Sequence, residues 1–325
     1  MTASVLLAGY ALLLAVAGPR FLLLGDWPAR APRLAITAWL AVTAAFLVTV
    51  LLTALSLATL GVHVSSNLAL LLQACWAALR ASYSTTAGAA LGGTGSALGI
   101  GLLARVGFCI LRSVSRASRH AGRYATMLGL LGQPDTAHGA VVVTHAVPAA
   151  FCLPGRFGPV VISSAAVAAL TEAELAAVMA HETAHQRGHH HLLLAVVEGI
   201  AQSFGRVPLL RDCLTQVRHL LELLADDAAL RGTDRLTLAQ ALVSFAAAGP
   251  TAPAGAMAVA TGALPRMRRL LAPRAHVSAS QQAIAWSGSA LIVAVPVLMV
   301  VVPALASNMI LCPTQMPVAA LACVR

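Results

Sequence analysis

The chain has 325 residues, of which 59% are hydrophobic and only 10% are charged. This number of charged side chains is too small to cover the surface of a soluble fold of this size. The composition therefore excludes an ordinary soluble protein and predicts a membrane protein. The formal net charge is +10, and arginine supplies every basic side chain apart from histidine. These arginines are not interleaved with aromatic residues and form no base-reading motif, which argues against direct binding of nucleic acid.

Four apolar runs predict transmembrane helices, at about residues 4–25, 34–60, 87–111 and 284–306. No basic residue precedes the first run, which therefore does not resemble a signal peptide. Residues 68–79 predict an additional helix that lies at the outer membrane surface. The third run contains GGTGSALGIG, whose glycine spacing misses the phosphate-loop pattern and favours close helix packing instead. The sequence does not determine whether Cys312 and Cys323 in the final tail form a disulfide.

The arginines cluster at alternate ends of these runs. They follow the first run (Arg20, Arg30, Arg33), follow the third (Arg112, Arg116, Arg119, Arg123) and precede the last (Arg266, Arg268, Arg269, Arg274). By the positive-inside rule these segments face the cytoplasm and both termini lie outside, which predicts a multi-pass protein of a bacterial plasma membrane.

The segment between the third and fourth runs is long enough for one soluble domain. We predict a basic cytoplasmic linker over 112–136 and an α+β domain over 137–280, followed over 281–325 by the fourth helix and a short extracytoplasmic tail. AVVVTHAV, AAFCLPG and GPVVISS read as short strands. Thr171 and Glu174 have the spacing of a capping box, so a helix begins there and continues into HETAH.

HETAH carries the chemistry of the domain. His181 and His185 are one helical turn apart, so both imidazoles can reach one zinc ion, and Glu182 beside them is placed to act as general base.

The spacing alone leaves the third ligand open. His191 is one candidate, because the run from His181 to His191 fits the H-E-x-x-H-x-x-G-x-x-H signature. Glu222 in ELLAD is the other candidate. It lies four residues before Asp226, so one carboxylate can bind the metal while the other orients a ligand histidine.

HETAH, ELLAD, LTEAELAAVMAHE and LPGRFGPVVISS together resemble the gluzincin membrane proteases of the BlaR/MecR antirepressor family, and more distantly the HtpX-type and CaaX-type proteases. The resemblance implies a mainly α-helical integral membrane protein with four transmembrane helices and a cytoplasmic zincin-like protease domain. It also implies Zn²⁺ as cofactor, with His181, His185 and Glu222 as its ligands.

The chain departs from these relatives in two places. The HtpX-type proteases have N-A-F in the strand before the motif, where this chain has Ala149, Ala150 and Phe151. The antirepressors that sense β-lactams carry a penicillin-binding domain after the last helix, and with only about twenty residues following that helix here we expect none. Without lysine the chain cannot form the S-x-x-K site through which such a domain is acylated.

The sequence therefore predicts a membrane-embedded zinc endopeptidase that cleaves a cytoplasmic protein, with a winged-helix repressor as the suggested substrate. Glu182 would act as general base and then proton donor, and the peptide would pair with GPVVISS as an edge strand. Arg218 and His219 are suggested oxyanion donors. The alternatives are an HtpX-type quality-control protease and a non-catalytic scaffold with a structural zinc site.

Overall fold

The computed structural model describes residues 2–58, 86–135, 139–153, 158–247, 263–272 and 278–310. Four of its helices are long and apolar enough to cross a membrane, over Ser4–Leu22, Pro32–Ser56, Gly92–Leu130 and Ala279–Val302. The prediction of four apolar helices is thereby confirmed. The predicted helix at 68–79 and the pair Cys312 and Cys323 lie outside the described residues.

The described helices and strands are labelled in chain order. The helices are α1 (Thr2–Leu22), α2 (Trp27–Arg30), α3 (Pro32–Ala58), α4 (Thr86–Leu131), α5 (Ser164–Ala169), α6 (Glu172–Arg187), α7 (His190–Ser203), α8 (Pro208–Ala229), α9 (Arg235–Ala247), α10 (Ala263–Leu271) and α11 (Ala279–Ile310). The strands are β1 (Gln133–Asp135), β2 (Ala140–Val143), β3 (Ala150–Cys152) and β4 (Val160–Ser163).

The described residues form two compact units. The first is drawn from Met1–Gly18, Ala41–Ala104 and Ser287–Arg325, and the second from Pro19–Leu40 and Arg105–Trp286. Within the first unit, the Tyr10 hydroxyl donates a hydrogen bond to the carbonyl of Ile292 at 3.0 Å. A methyl group built on Gly99 would lie 3.8 Å from the Cβ of Ala54, which is ordinary contact. An alanine at position 99 would therefore also fit between α4 and α3, so close helix packing does not require glycine at this position.

Helix α4 runs unbroken for 46 residues, so most of the predicted linker at 112–136 is a continuation of the third apolar helix. Within the second unit, α4 packs tightly against α7. A Cβ added to Gly199 of α7 would lie 2.6 Å from the Cα of Ile110. Close by, the Arg105 Nε donates a hydrogen bond to the carbonyl of Ser203 at 2.6 Å. The absence of a side chain at Gly199 lets the two backbones approach this closely.

We expect Gly199→Ala to destabilise the protein by about 1–3 kcal/mol, because the new methyl group overlaps backbone atoms that cannot rotate away. Gly122→Ala in α4 is the matched control, since a Cβ there meets nothing within 4 Å. It should leave stability unchanged or raise it by up to about 1 kcal/mol through helix propensity. Thermal unfolding of both variants in detergent measures the difference, and equal midpoints would contradict the close packing of α4 on α7.

The sheet has the strand order β1-β2-β4-β3. Strand β4 pairs in parallel with β2 and antiparallel with β3, so GPVVISS forms an interior strand and the prediction that it is an edge strand is wrong. The physical reason lies in the sequence of β4, which is apolar on both faces and fully buried, as expected of a strand with neighbours on both sides. The edge on this side of the sheet is β3, which packs against α6.

Candidate metal centre

Three buried side chains converge between α6 and α8. The Nε2 atoms of His181 and His185 lie 3.1 Å apart. The Glu222 carboxylate lies 3.5 Å from His181 Nε2 and 3.7 Å from His185 Nε2. One ligand atom from each residue lies within 4.8 Å of the other two. The structure thus brings together the two motif histidines and Glu222.

The local sequence explains how α6 presents its two histidines. The Thr171 hydroxyl accepts a hydrogen bond from the Glu174 backbone N–H, and the Glu174 side chain accepts one from the Thr171 N–H, which completes the predicted capping box. This cap fixes the start of a helix on which His181 and His185 share one face. Val178 lies on the same side one turn earlier and is fully buried, so the face that carries the histidines points inward.

Asp226 lies behind His181, one turn after Glu222 on α8. Its Oδ1 is 3.0 Å from the His181 Nδ1, so that ring nitrogen donates to the carboxylate. The other nitrogen, Nε2, faces Glu222, and its lone pair would be available to a metal ion bound there once that nitrogen carries no proton. Asp226 therefore contacts the His181 ring nitrogen that faces away from Glu222.

Arg266 of α10 joins the two carboxylates, and the sequence analysis missed this role. Its guanidinium is 0% exposed. It donates to Asp226 Oδ2 at 2.9 Å and to Glu222 Oε2 at 3.1 Å. The arginine cluster before the last helix was interpreted only as a topology signal. The burial of Arg266 could have been inferred from its spacing to Leu270. Leu270 lies one turn later on the same face of the helix and is also buried.

The two histidines have opposite electrostatic surroundings. Burial and Arg266 lower the pKa of His181, but the hydrogen bonds to Asp226 and Glu222 outweigh them and raise it to about 9. Burial lowers the pKa of His185, and the positive charges nearby lower it further. Burial also opposes ionisation of Asp226, yet its hydrogen bonds to His181 and Arg266 hold the pKa well below its usual range.

Glu182 lies beside this group and is 0% exposed. Neither of its carboxylate oxygens has a hydrogen bond of good geometry among the described residues. Burial raises the pKa of Glu182 to about 7. The positive charge of His181 opposes this rise, and a hydrogen bond with the Cys152 backbone opposes it more weakly. A carboxylate held this weakly can bind a water or a substrate group, and a pKa of about 7 suits proton transfer near neutrality.

His190 is a second residue that the sequence analysis did not assign to the site. It is buried, and its Nδ1 lies 2.9 Å from the His185 Nδ1. When His185 donates this bond, its Nε2 keeps the lone pair that faces Glu222. Residue 188 is a glycine, and any side chain there would overlap the His190 ring. The turn at Gly188 and His189 (φ 49°) thus folds the chain so that α7 starts against His185.

The remaining predicted residues lie outside the convergent group. His191 is half-buried, and its ring centroid lies 6.2 Å from that of His189. Arg218 is exposed. His219 is half-buried, and its pKa is lowered chiefly by burial, although the negative charge of Glu222 opposes the shift.

Two imidazoles and a carboxylate are the donor types that Zn²⁺ accepts in catalytic sites, and the orientation of both rings toward Glu222 fits a bound divalent cation. The buried carboxylate of Glu182 lies beside them. The fold and the site thus define a protein built as a metal-dependent hydrolase.

Comparison with known proteins agrees with this class. Residues 115–250, less than half of the chain, match the model of Peptidase family M48. The match supports a metallopeptidase with membrane helices and leaves the choice between a BlaR/MecR-like and an HtpX-like protein open. Searches of curated proteins and of solved structures give no significant match.

We expect His190→Ala to weaken the binding of zinc about 10- to 100-fold, because the His185 ring loses the partner that fixes its orientation and tautomer. His191→Ala is the matched control, since it removes the neighbouring imidazole of the same helix and should leave the affinity unchanged. Titration of the metal-free variants with zinc in the presence of a competing chelator gives both values.

The reverse ranking, with zinc binding lost on changing His191 and kept on changing His190, would contradict this geometry. It would make His191 the third ligand, as in the alternative signature.

Proposed function

We propose that this protein is an integral-membrane zinc endopeptidase whose protease domain lies in the cytoplasm of a bacterial cell. The observation that carries the proposal is the buried group of His181, His185 and Glu222 with the buried carboxylate of Glu182 beside it. The family match over residues 115–250 supports peptide-bond hydrolysis. Structural zinc sites are usually closed by four protein ligands and need no adjacent base, so this arrangement favours catalysis over a scaffold role.

His181, His185 and Glu222 would hold the ion. A zinc ion bound there would act as a Lewis acid that polarises the scissile carbonyl and makes water more acidic. Glu182 accepts the proton of the attacking water and then delivers it to the leaving amine. Its burial supports this role, because a carboxylate with a pKa of about 7 both accepts and releases a proton near neutral pH.

The substrate would bind in an extended form along β3. The Ser163 N–H donates to the Ala149 carbonyl at 2.8 Å, and the Leu153 N–H donates to the Pro159 carbonyl at 3.3 Å. Residues alternate along an antiparallel pair, so Cys152 between them directs its backbone N–H and C=O away from β4. Its backbone also interacts with Glu182. A peptide added to this edge by backbone pairing would therefore run past the general base.

We propose a winged-helix repressor as the protein substrate and proteolysis of it as the output of a signalling pathway. The motifs HETAH and ELLAD, and the strand and helix that precede HETAH, support this choice through their similarity to the antirepressor proteases. The lipid bilayer is the second partner.

Two variants separate the general base from a metal ligand. Glu182→Gln should abolish proteolysis and keep zinc near one ion per chain, because the base is lost while the ligands remain. Glu222→Ala should abolish proteolysis and also release the zinc, since two histidines alone hold it weakly. Zinc content by mass spectrometry and cleavage of a reporter protein are measured on the same detergent-purified samples.

The proposal fails if Glu182→Gln retains activity, or if Glu222→Ala retains both zinc and activity. Loss of zinc from Glu182→Gln would instead give Glu182 a structural role.

The orientation gives a separate test. A reporter fused near Gly232 should score as cytoplasmic, and one fused after Arg325 as extracytoplasmic, because the arginines lie on the cytoplasmic side of the apolar helices. Alkaline phosphatase and a fluorescent protein at each position give opposite readouts. The same compartment for both fusions would overturn the proposed orientation.

A further inference from the structure

A cavity of about 1300 Å³ is lined in part by residues of α6 and α8. All of its lining residues belong to the second compact unit. Thr183 and Ala184 of α6 line it, as do Leu221 and Leu224 of α8. The side chains of the metal centre, namely His181, Glu182, His185, Glu222 and Asp226, are not among the lining residues. The cavity is therefore distinct from the candidate catalytic site, and the same two helices form a wall of both.

Three arginines line this cavity: Arg33, Arg187 and Arg231. No aspartate or glutamate is among the lining residues. All three arginines are exposed, and within the described part of the chain none of them forms an ion pair. The cavity thus presents uncompensated positive charge, which is complementary to an anion.

The rest of the lining is largely apolar, with Ile36, Met179, Leu193 and Trp286 among its members. A small soluble anion would gain nothing from these walls. An amphiphile with an anionic head and a hydrocarbon tail matches both parts of the lining.

The position along the chain favours a ligand from the membrane. Arg33 and Ile36 lie in the first two turns of the apolar helix that begins at Pro32, and Trp286 lies near the start of the last one. Tryptophan and arginine at the ends of apolar helices are typical of the level at which lipid headgroups lie. A lipid in that layer would reach the cavity without leaving the membrane.

We infer that this cavity binds an anionic phospholipid, with its phosphate held by Arg33, Arg187 and Arg231 and its acyl chains against the apolar wall. His190 also lines the cavity. The bound lipid therefore contacts the residue that fixes the His185 ring on the other side, which makes lipid occupancy a means of stabilising the metal centre. The inference does not depend on the reaction that the protein catalyses.

The test compares lipid retention by two double variants of the full-length protein. Arg187→Gln with Arg231→Gln removes two cavity charges. Arg206→Gln with Arg211→Gln removes two exposed arginines that do not line the cavity and gives the same net charge. Native mass spectrometry from detergent counts retained phosphatidylglycerol and phosphatidylcholine over a lipid titration.

We expect the unaltered protein to retain one phosphatidylglycerol about tenfold more tightly than phosphatidylcholine, as basic clusters near a membrane prefer anionic lipids. The cavity variant should lose this preference, and the control variant should keep it. Excess inorganic phosphate or an acidic peptide should not displace the lipid.

Equal retention of phosphatidylglycerol by the two double variants would overturn the inference, because general electrostatic attraction would then suffice. Displacement by inorganic phosphate would assign the cavity to a soluble anion, and displacement by the acidic peptide would assign it to a protein segment. Both displacements would overturn the lipid assignment. If the protein retains phosphatidylglycerol selectively but shows no proteolysis, the lipid site is supported and only the proposed enzymatic function is contradicted.

Discussion

The arrangement of the site depends on one buried cation. Arg266 is 0% exposed, and a guanidinium cannot lose its proton in a protein, so the fold must surround it with negative charge. Asp226 and Glu222 supply that charge from adjacent turns of α8. The second carboxylate is balanced by His181, because its hydrogen bonds to Asp226 and Glu222 outweigh burial and the charge of Arg266 and raise its pKa to about 9. A divalent cation held by the histidines and Glu222 would supply the balancing positive charge instead.

The same network makes the two histidines unequal. His181 is held by an anion, Asp226, whereas His185 is held by a neutral imidazole, that of His190. A carboxylate partner strengthens the electron donation of one ring, and the imidazole partner leaves the other less basic. Both partners contact Nδ1, so Nε2 of each ring would be the atom that holds an ion. The orientation of both rings is thus fixed by groups outside the candidate ligand set.

Much of this was accessible from the sequence because helical periodicity is a local property. The spacing of His181 and His185, and that of Glu222 and Asp226, follow from one turn of helix whatever the fold. What the sequence left open depends on contacts between distant segments. It could not choose between His191 and Glu222 without the resemblance, and it gave Arg266 and His190 no role in the site. It also chose the wrong edge strand, because the apolar run of β4 indicates burial without identifying its partners, and β3 is too short to carry a pattern.

The helices of the site are joined to the rest of the second unit by rigid contacts. Arg269 lies one turn after Arg266 on α10, and its Nη2 forms an ion pair with both carboxylate oxygens of Asp227 at 2.8 and 2.9 Å. Its Nε also donates to the carbonyl of Ala29 at 2.7 Å. The pair is partly exposed and contributes little to stability by itself. The position of this ion pair matters more than its energy. Arg266 pairs with Asp226 and Arg269 with the next residue of α8, Asp227, so the two pairs together fix the register of α10 against α8. Helix α7, which carries His190, packs on α4 at Gly199 with no room for a side chain between the two backbones. The contacts of α10 with α8 and of α7 with α4 thus hold Arg266 and His190 in place beside the site.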